Sequence, residues 1–159
     1  MDATAYLNPA DLPPLRTDTA AAAQAALANR AYARRLASGT AVTTSQYVAA
    51  LAECGVGEEA ARTRIKRDRK ARRLITVTHQ GEAIIETFQL ERDFEHNRLA
   101  GEAVRTLLAA GSSPWDIWDW AQSRNPWLER RTPADAIRAG DADATSRALA
   151  AAVGEGPDA

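Results

Sequence analysis

Apolar positions recur three and four residues apart along most of this chain and alternate along one short stretch, a pattern of helices interrupted by a single hairpin. The first residues form an irregular lead, because Pro9, Pro13 and Pro14 discourage any regular element. Thr17 or Asp18 can then cap a helix through residues 20–37, ten of whose eighteen positions are alanine, and Gly39 is placed to end it. Leu27, Tyr32 and Leu36 supply its apolar stripe. Its small side chains allow close helix approach, so the helix either lies across its own domain or meets a second copy.

A second part, residues 43–92, carries more information. Thr43, Thr44 or Ser45 caps a short helix bearing Tyr47, Val48 and Leu51, which ends near Glu53-Cys54-Gly55-Val56-Gly57. Gly55 suits a positive φ in this turn, and Val56 and Cys54 are expected to pack into a small core. A further helix starts at Glu58 or Glu59. Ala61 and Ile65, four residues apart, turn one face toward Leu51 and Val56, leaving Arg62, Thr63, Lys66 and Arg67 pointing outward. Two helices joined by a glycine-containing turn form a helix-turn-helix unit. Period-two patterning then predicts strands over residues 74–78 and 82–88, with Gly81 in the turn and His79 and Gln80 at the tip. A helix-turn-helix followed by such a hairpin resembles a winged helix or excisionase-type domain.

Residues 94–153 again read as helices. Leu99, Val104, Leu107 and Leu108 mark one that stops at Gly111, and Ser112 or Ser113 with Pro114 opens another carrying Trp115, Ile117, Trp118 and Trp120. Asn125-Pro126-Trp127-Leu128 reads as a turn, Thr132-Pro133-Ala134-Asp135 as a capped start, Gly140 as a stop and Asp141 as the next cap. The tryptophans are too many for one helix of a small domain to hide, which predicts a partner surface. The expected fold class is mainly α: a winged helix-turn-helix with one β-hairpin, followed by a small helical domain. The expected division is 1–42 (lead and alanine-rich helix), 43–92 (DNA-binding domain), 93–153 (protein-interaction domain) and 154–159 (a short acidic tail).

Charge changes this picture more than composition does. The formal net charge is −1, yet residues 62–73 hold Arg62, Arg64, Lys66, Arg67, Arg69, Lys70, Arg72 and Arg73 against Asp68 alone. These twelve residues therefore carry +7 and the rest of the chain −8. Such polarisation suits an oriented encounter with a polyanion, whereas a solvated helical face with no partner is the plainer alternative. Arginine can grip guanine O6 and N7 bidentately, and the cations near the helix end and hairpin suit phosphates. Glu58 and Glu59 favour the helix start electrostatically but place negative charge at the end that usually meets DNA. The basic run has no interleaved aromatic residues for stacking single-stranded RNA.

Other chemistries find little support. One cysteine, Cys54, cannot form an intramolecular disulfide, and with only His79 and His96 there is no Cys/His zinc set, so neither metal nor cofactor is expected. His79 reads as a polar turn residue. Asp116 and Asp119 lie near one another, but no nucleophile, metal set or phosphate-binding glycine loop accompanies them, so no enzyme is expected. The amino terminus lacks the pattern of a signal peptide and no stretch nears ~20 apolar residues, so a cytoplasmic, nucleoid-associated protein without membrane contact is expected.

Residues 120–141, WAQSRNPWLERRTPADAIRAGD, resemble part of the carboxy-terminal toxin-binding domain of Xre/MbcA/ParS-type antitoxins. Leu128 and Arg131-Thr132-Pro133-Ala134-Asp135 match the pattern and Asn125 fits, whereas Arg124 stands where members often carry proline and Pro126 follows instead. Joined to the excisionase-like unit, the arrangement is also similar to actinobacterial DNA-binding proteins without an obvious toxin partner. The resemblance implies a DNA-binding transcriptional regulator of duplex DNA. In toxin-paired members it implies a RES-class toxin that consumes NAD, blocked by the antitoxin's carboxy-terminal end, and repression of the shared operon. The expected DNA contacts are the eight cations of residues 62–73 with Thr63, His79 and Gln80; the expected partner surface is Trp115, Trp118, Trp120, Trp127 and Arg131, with a homodimer matching a two-fold operator. Two alternatives stand beside this: a stand-alone DNA-binding or architectural protein, and a helical module whose basic face meets an acidic protein.

Overall fold

A computed structural model describes residues 17–154 of the chain; the proline-rich lead and residues 155–159 of the tail lie outside the described residues. The chain divides into two compact units at residues 34/35. The first holds most of α1 (Thr17–Ala37), after which Gly39 takes a φ of +73°. Of the three residues expected to form the stripe of α1, Leu27 is exposed and Leu36 half-buried, while the Tyr32 side chain lies outside the described residues.

The second unit begins with β1 (Ala41–Thr43) and α2 (Thr44–Glu53). Thr43 caps α2 reciprocally: its hydroxyl accepts from the Gln46 N–H at 3.1 Å, and its own N–H donates to Gln46 Oε1 at 2.9 Å. Gly55, at φ +82°, turns the chain, and the Val56 N–H returns to the Leu51 carbonyl at 2.9 Å. Cys54 departs from expectation. It caps the end of α2, so its backbone is engaged while its side chain is exposed rather than packed in the core. Helix α3 (Glu58–Lys70) follows and buries Ala61, Ile65 and Asp68. Tyr47, Val48, Leu51, Ala61, Ile65, Leu74 and Ile85 form one core, edged by Val42, Val56, Leu90 and Phe94.

The hairpin is shorter than its alternation predicts. Strand β2 covers only Val77–His79 and β3 only Glu82–Glu86, joined through Gln80 and Gly81, whose φ values of +49° and +79° are those of a tight two-residue turn. Leu74 and Ile75 are both buried, which a strand with one covered face does not allow of neighbours. Thr87–Gln89 coil into a 3₁₀ turn. β3 is central, pairing antiparallel with β2 and with β1 in the order β1-β3-β2. β1 was not foreseen, because three residues are too few to show alternation.

Four helices complete the unit: α4 (Arg98–Ala109), α5 (Pro114–Gln122), α6 (Pro133–Arg138) and α7 (Ala142–Ala152), with a 3₁₀ turn at Pro126–Leu128. Asn97, Ser113, Thr132 and Asp141 cap them, and Gly111 and Gly140 end α4 and α6 at positive φ. Ile75 and Phe88 share a core with Val104, Leu107, Ile117 and Ile137. The boundary expected at 92/93 therefore crosses a common core, and residues 35–154 belong to one compact unit. The molecule is mainly helical with one small antiparallel sheet. No helix among the described residues is long and apolar enough to cross a membrane.

Candidate nucleic-acid interface

Helix α3 owes its orientation to Ala61, Ile65 and Asp68, spaced four and three residues apart so that they share one face. Arg62, Thr63, Lys66, Arg67, Arg69 and Lys70 are exposed on the others, and Arg72, at φ +57°, is exposed where the chain leaves the helix. Glu58 Oε1 accepts from Arg62 Nε at 2.9 Å, one turn along the helix. This pair is open to water and contributes only about 0.3–0.5 kcal/mol. Glu58 and Glu59 both occupy the first turn, where the helix dipole favours them.

Two of the expected DNA contacts are engaged elsewhere. Arg64 is partly buried and donates to Glu95 Oε1 at 2.7 Å, across 31 residues of sequence. Arg64 also faces Tyr47, whose phenol is pushed up by burial, an effect the guanidinium partly offsets. Arg73 donates to the buried carboxylate of Asp68 at 2.7 Å, and Arg67 Nε lies 3.3 Å from the same oxygen. Asp68 and Glu95 thus convert part of the basic run into structure. Asp68 was detectable in principle, since it continues the inward spacing of Ala61 and Ile65; Glu95 was not, because only folding brings it to Arg64. Lys66, Arg69, Lys70 and Arg72 make no ion pair among the described residues. At the hairpin tip Gln80 is exposed and His79 half-buried.

The tryptophans separate into core and surface. Trp118 is buried, with Trp115 stacked on it at 5.6 Å between ring centroids and the Arg35 guanidinium 4.5 Å from its ring. Arg35 in turn donates to Asp119 at 3.2 Å. Trp118 therefore cannot form a partner surface as expected, because α5 turns it inward beside Ile117 and Ala121. Trp120 is half-buried, while Trp115 and Trp127 are exposed. Trp120, Arg124, Trp127, Ala148, Ala151 and Ala152 line a shallow groove. Arg131 is also a structural residue: it donates to Asp141 Oδ2 at 3.0 Å, joining the turn before α6 to the cap of α7. Asp141 is held below the usual carboxylate range by the Ala144 N–H and by Arg131.

The carboxylate pair considered for catalysis is divided between two tasks. Asp116 closes the cap of α5 with Ser113, whose hydroxyl and N–H hold it below its ordinary range. Asp119 faces Arg35. No group of three or more His, Cys, Asp or Glu side chains among the described residues is arranged to hold a metal. A carboxyl that sequence reasoning passed over is Glu86 on β3, which is buried and accepts from Gln122 Nε2 at 2.9 Å. Burial pushes its pKa up to about 8, against the opposing effects of Gln122, Arg35 and Arg138.

No family model matches this chain, and no curated protein or solved structure matches it either.

Proposed function

We propose that this protein is a sequence-specific regulator that binds duplex DNA with α3 as its recognition helix. The observation carrying this reading is the concentration of exposed cations on one helix and its end, Arg62, Lys66, Arg67, Arg69, Lys70 and Arg72, in a chain whose net charge is −1. The order of elements supports it: α1, β1, α2, a glycine-containing turn, α3 and the β2-β3 hairpin follow one another as in a winged helix-turn-helix. In this reading α3 lies in the major groove, Arg69, Lys70 and Arg72 meet phosphates, and the tip at His79 and Gln80 flanks the groove.

The exposed rings of Trp115 and Trp127 favour, in addition, a protein partner at the carboxy-terminal helices: a second copy of this chain or, following the resemblance of residues 120–141, a RES-class toxin. A strict monomer at micromolar concentration, by mass measurement in solution, would remove the dimer. The proposed location is the cytoplasm, on the nucleoid.

Anisotropy titration of the full chain against duplexes from the DNA upstream of its own coding sequence tests the central reading. Six exposed cations limit the slope of log affinity against log salt to about −5. Replacing Arg62 and Lys66 together by alanine is expected to weaken binding at least ~10-fold and flatten that slope by ~1–2. Unchanged affinity in the folded double variant would overturn α3 as the recognition helix.

A further inference from the structure

The negative charge at the start of α3 looks like an obstacle to DNA binding, and the two glutamates differ in a way that suggests its use. Glu58 is occupied by Arg62 at 2.9 Å. The Glu59 carboxylate is exposed and makes no hydrogen bond or ion pair among the described residues. At ~100° per residue, Glu59, Thr63, Lys66 and Lys70 fall within roughly 60° of one another, opposite the buried stripe of Ala61, Ile65 and Asp68. They form the outermost line of the helix. A groove that receives α3 meets Glu59, Thr63 and Lys66 at its floor, with Arg62 on one flank and Arg67 on the other, while Arg69 and Lys70 lie at the far end of the helix, toward the phosphates.

A carboxylate on that line is repelled by phosphates and by base edges that present acceptors. Guanine offers N7 and O6, and thymine O4 beside its methyl group. Adenine offers its amine next to the N7 acceptor, an arrangement that suits an amide better than a carboxylate. Cytosine N4 is the donor that satisfies a carboxylate with no acceptor on the edge of the same base. Lys66 lies seven residues further along the same line, about 10 Å at ~1.5 Å per residue, or roughly three base steps. Its ammonium is complementary to guanine O6 and N7.

We propose that Glu59 reads a cytosine and Lys66 a guanine about three base steps away, so that the acid at the start of α3 supplies discrimination while the surrounding cations supply affinity. The inference rests on the proposed reading of α3 as a recognition helix.

Selection of bound duplexes from a randomised pool, followed by anisotropy on the best duplex and its single-pair variants, tests both levels separately. For the natural sequence, two fixed G·C pairs about three base steps apart are expected, one read through its cytosine and the other through its guanine, and replacing the pair read through cytosine should weaken binding ~10-fold or more. Glu59→Ala should abolish the preference at this one position while tightening binding to unrelated duplex, because it removes a repulsive charge. Glu59→Gln should move the preference from cytosine toward adenine, the base whose edge matches an amide. Glu58→Ala should leave the preference in place. An unchanged thermal midpoint verifies that each variant is folded. A cytosine preference surviving Glu59→Ala, or no fixed cytosine in the selected duplexes, overturns the inference while leaving DNA binding intact. Failure of the natural sequence to bind any duplex overturns this inference together with the reading it rests on.

Discussion

The side-chain amide of Gln89 completes both backbone hydrogen bonds of Ile75: Gln89 Oε1 accepts from the Ile75 N–H at 2.8 Å, and Nε2 donates to the Ile75 carbonyl at 3.0 Å. Both residues are buried, and the amide stands where a neighbouring strand would otherwise be needed. This is why residues 74–76 run beside the sheet without joining it. Gln89→Leu leaves a buried donor and acceptor unpaired, at a cost of about 2–4 kcal/mol. Urea unfolding should show the loss as a lower midpoint with an unchanged slope.

Arg73 and Asp68 tie the end of α3 to the segment leading into the hairpin, so they belong to stability more than to DNA contact. Arg73→Ala leaves the Asp68 carboxylate buried with Arg67 as its remaining charged neighbour at 3.3 Å. Because Arg73 is partly exposed, the expected cost is about 2 kcal/mol, below that of a fully buried pair. At matched folded fraction, DNA affinity should fall less in Arg73→Ala than in Lys66→Ala. The reverse order by anisotropy would return Arg73 to the interface.

Glu86 makes stability depend on pH. Its folded pKa of about 8 lies above the ordinary 4.5, so the folded state holds this proton more tightly than the unfolded chain. The stabilisation is complete below about pH 4.5 and is lost as pH rises through about 8. Its size is up to roughly 5 kcal/mol. Arg35 and Arg138 limit the effect and Asp119 adds to it. Glu86→Gln should therefore flatten the pH dependence of the thermal midpoint across this window and stabilise the protein at pH 9 relative to the natural sequence.

Trp118 and Trp127 should behave in opposite ways. Trp118→Ala removes a ring that is 1% exposed and contacts both Trp115 and Arg35, so a loss of about 3–5 kcal/mol is expected. Trp127 is 62% exposed, and Trp127→Ala should change stability by less than about 1 kcal/mol. If a protein partner docks on the carboxy-terminal helices, Trp127→Ala should weaken that association while leaving duplex binding unchanged. Measuring that association alongside anisotropy on DNA separates the two effects.

Much of the local structure was legible from residue type and spacing. Thr43, Ser113, Thr132 and Asp141 each begin a helix because a short polar side chain can hold an unpaired N–H of the first turn, and that requirement is met within four residues. Gly55, Gly81, Gly111 and Gly140 mark reversals for an equally local reason, their tolerance of positive φ. The inward face of α3 followed from the spacing of Ala61 and Ile65. The length of the hairpin did not follow from alternation, because Gln89 and Ile75 settle it from opposite sides of a turn.

The sequence by itself therefore determined where most helices start, which side of α3 turns inward, and that residues 62–73 carry a large positive charge. Only the tertiary structure decided how much of that charge is free, taking Arg64 to Glu95 and Arg73 to Asp68 while leaving Lys66, Arg69, Lys70 and Arg72 exposed. It likewise decided that Trp118 is core and Trp127 surface, and that Ile75 and Phe88 share a core with the carboxy-terminal helices. The physical reason is the same in each case. Caps and turns are settled by bonds spanning a few residues, whereas burial and ion pairing depend on groups that only the folded chain brings together.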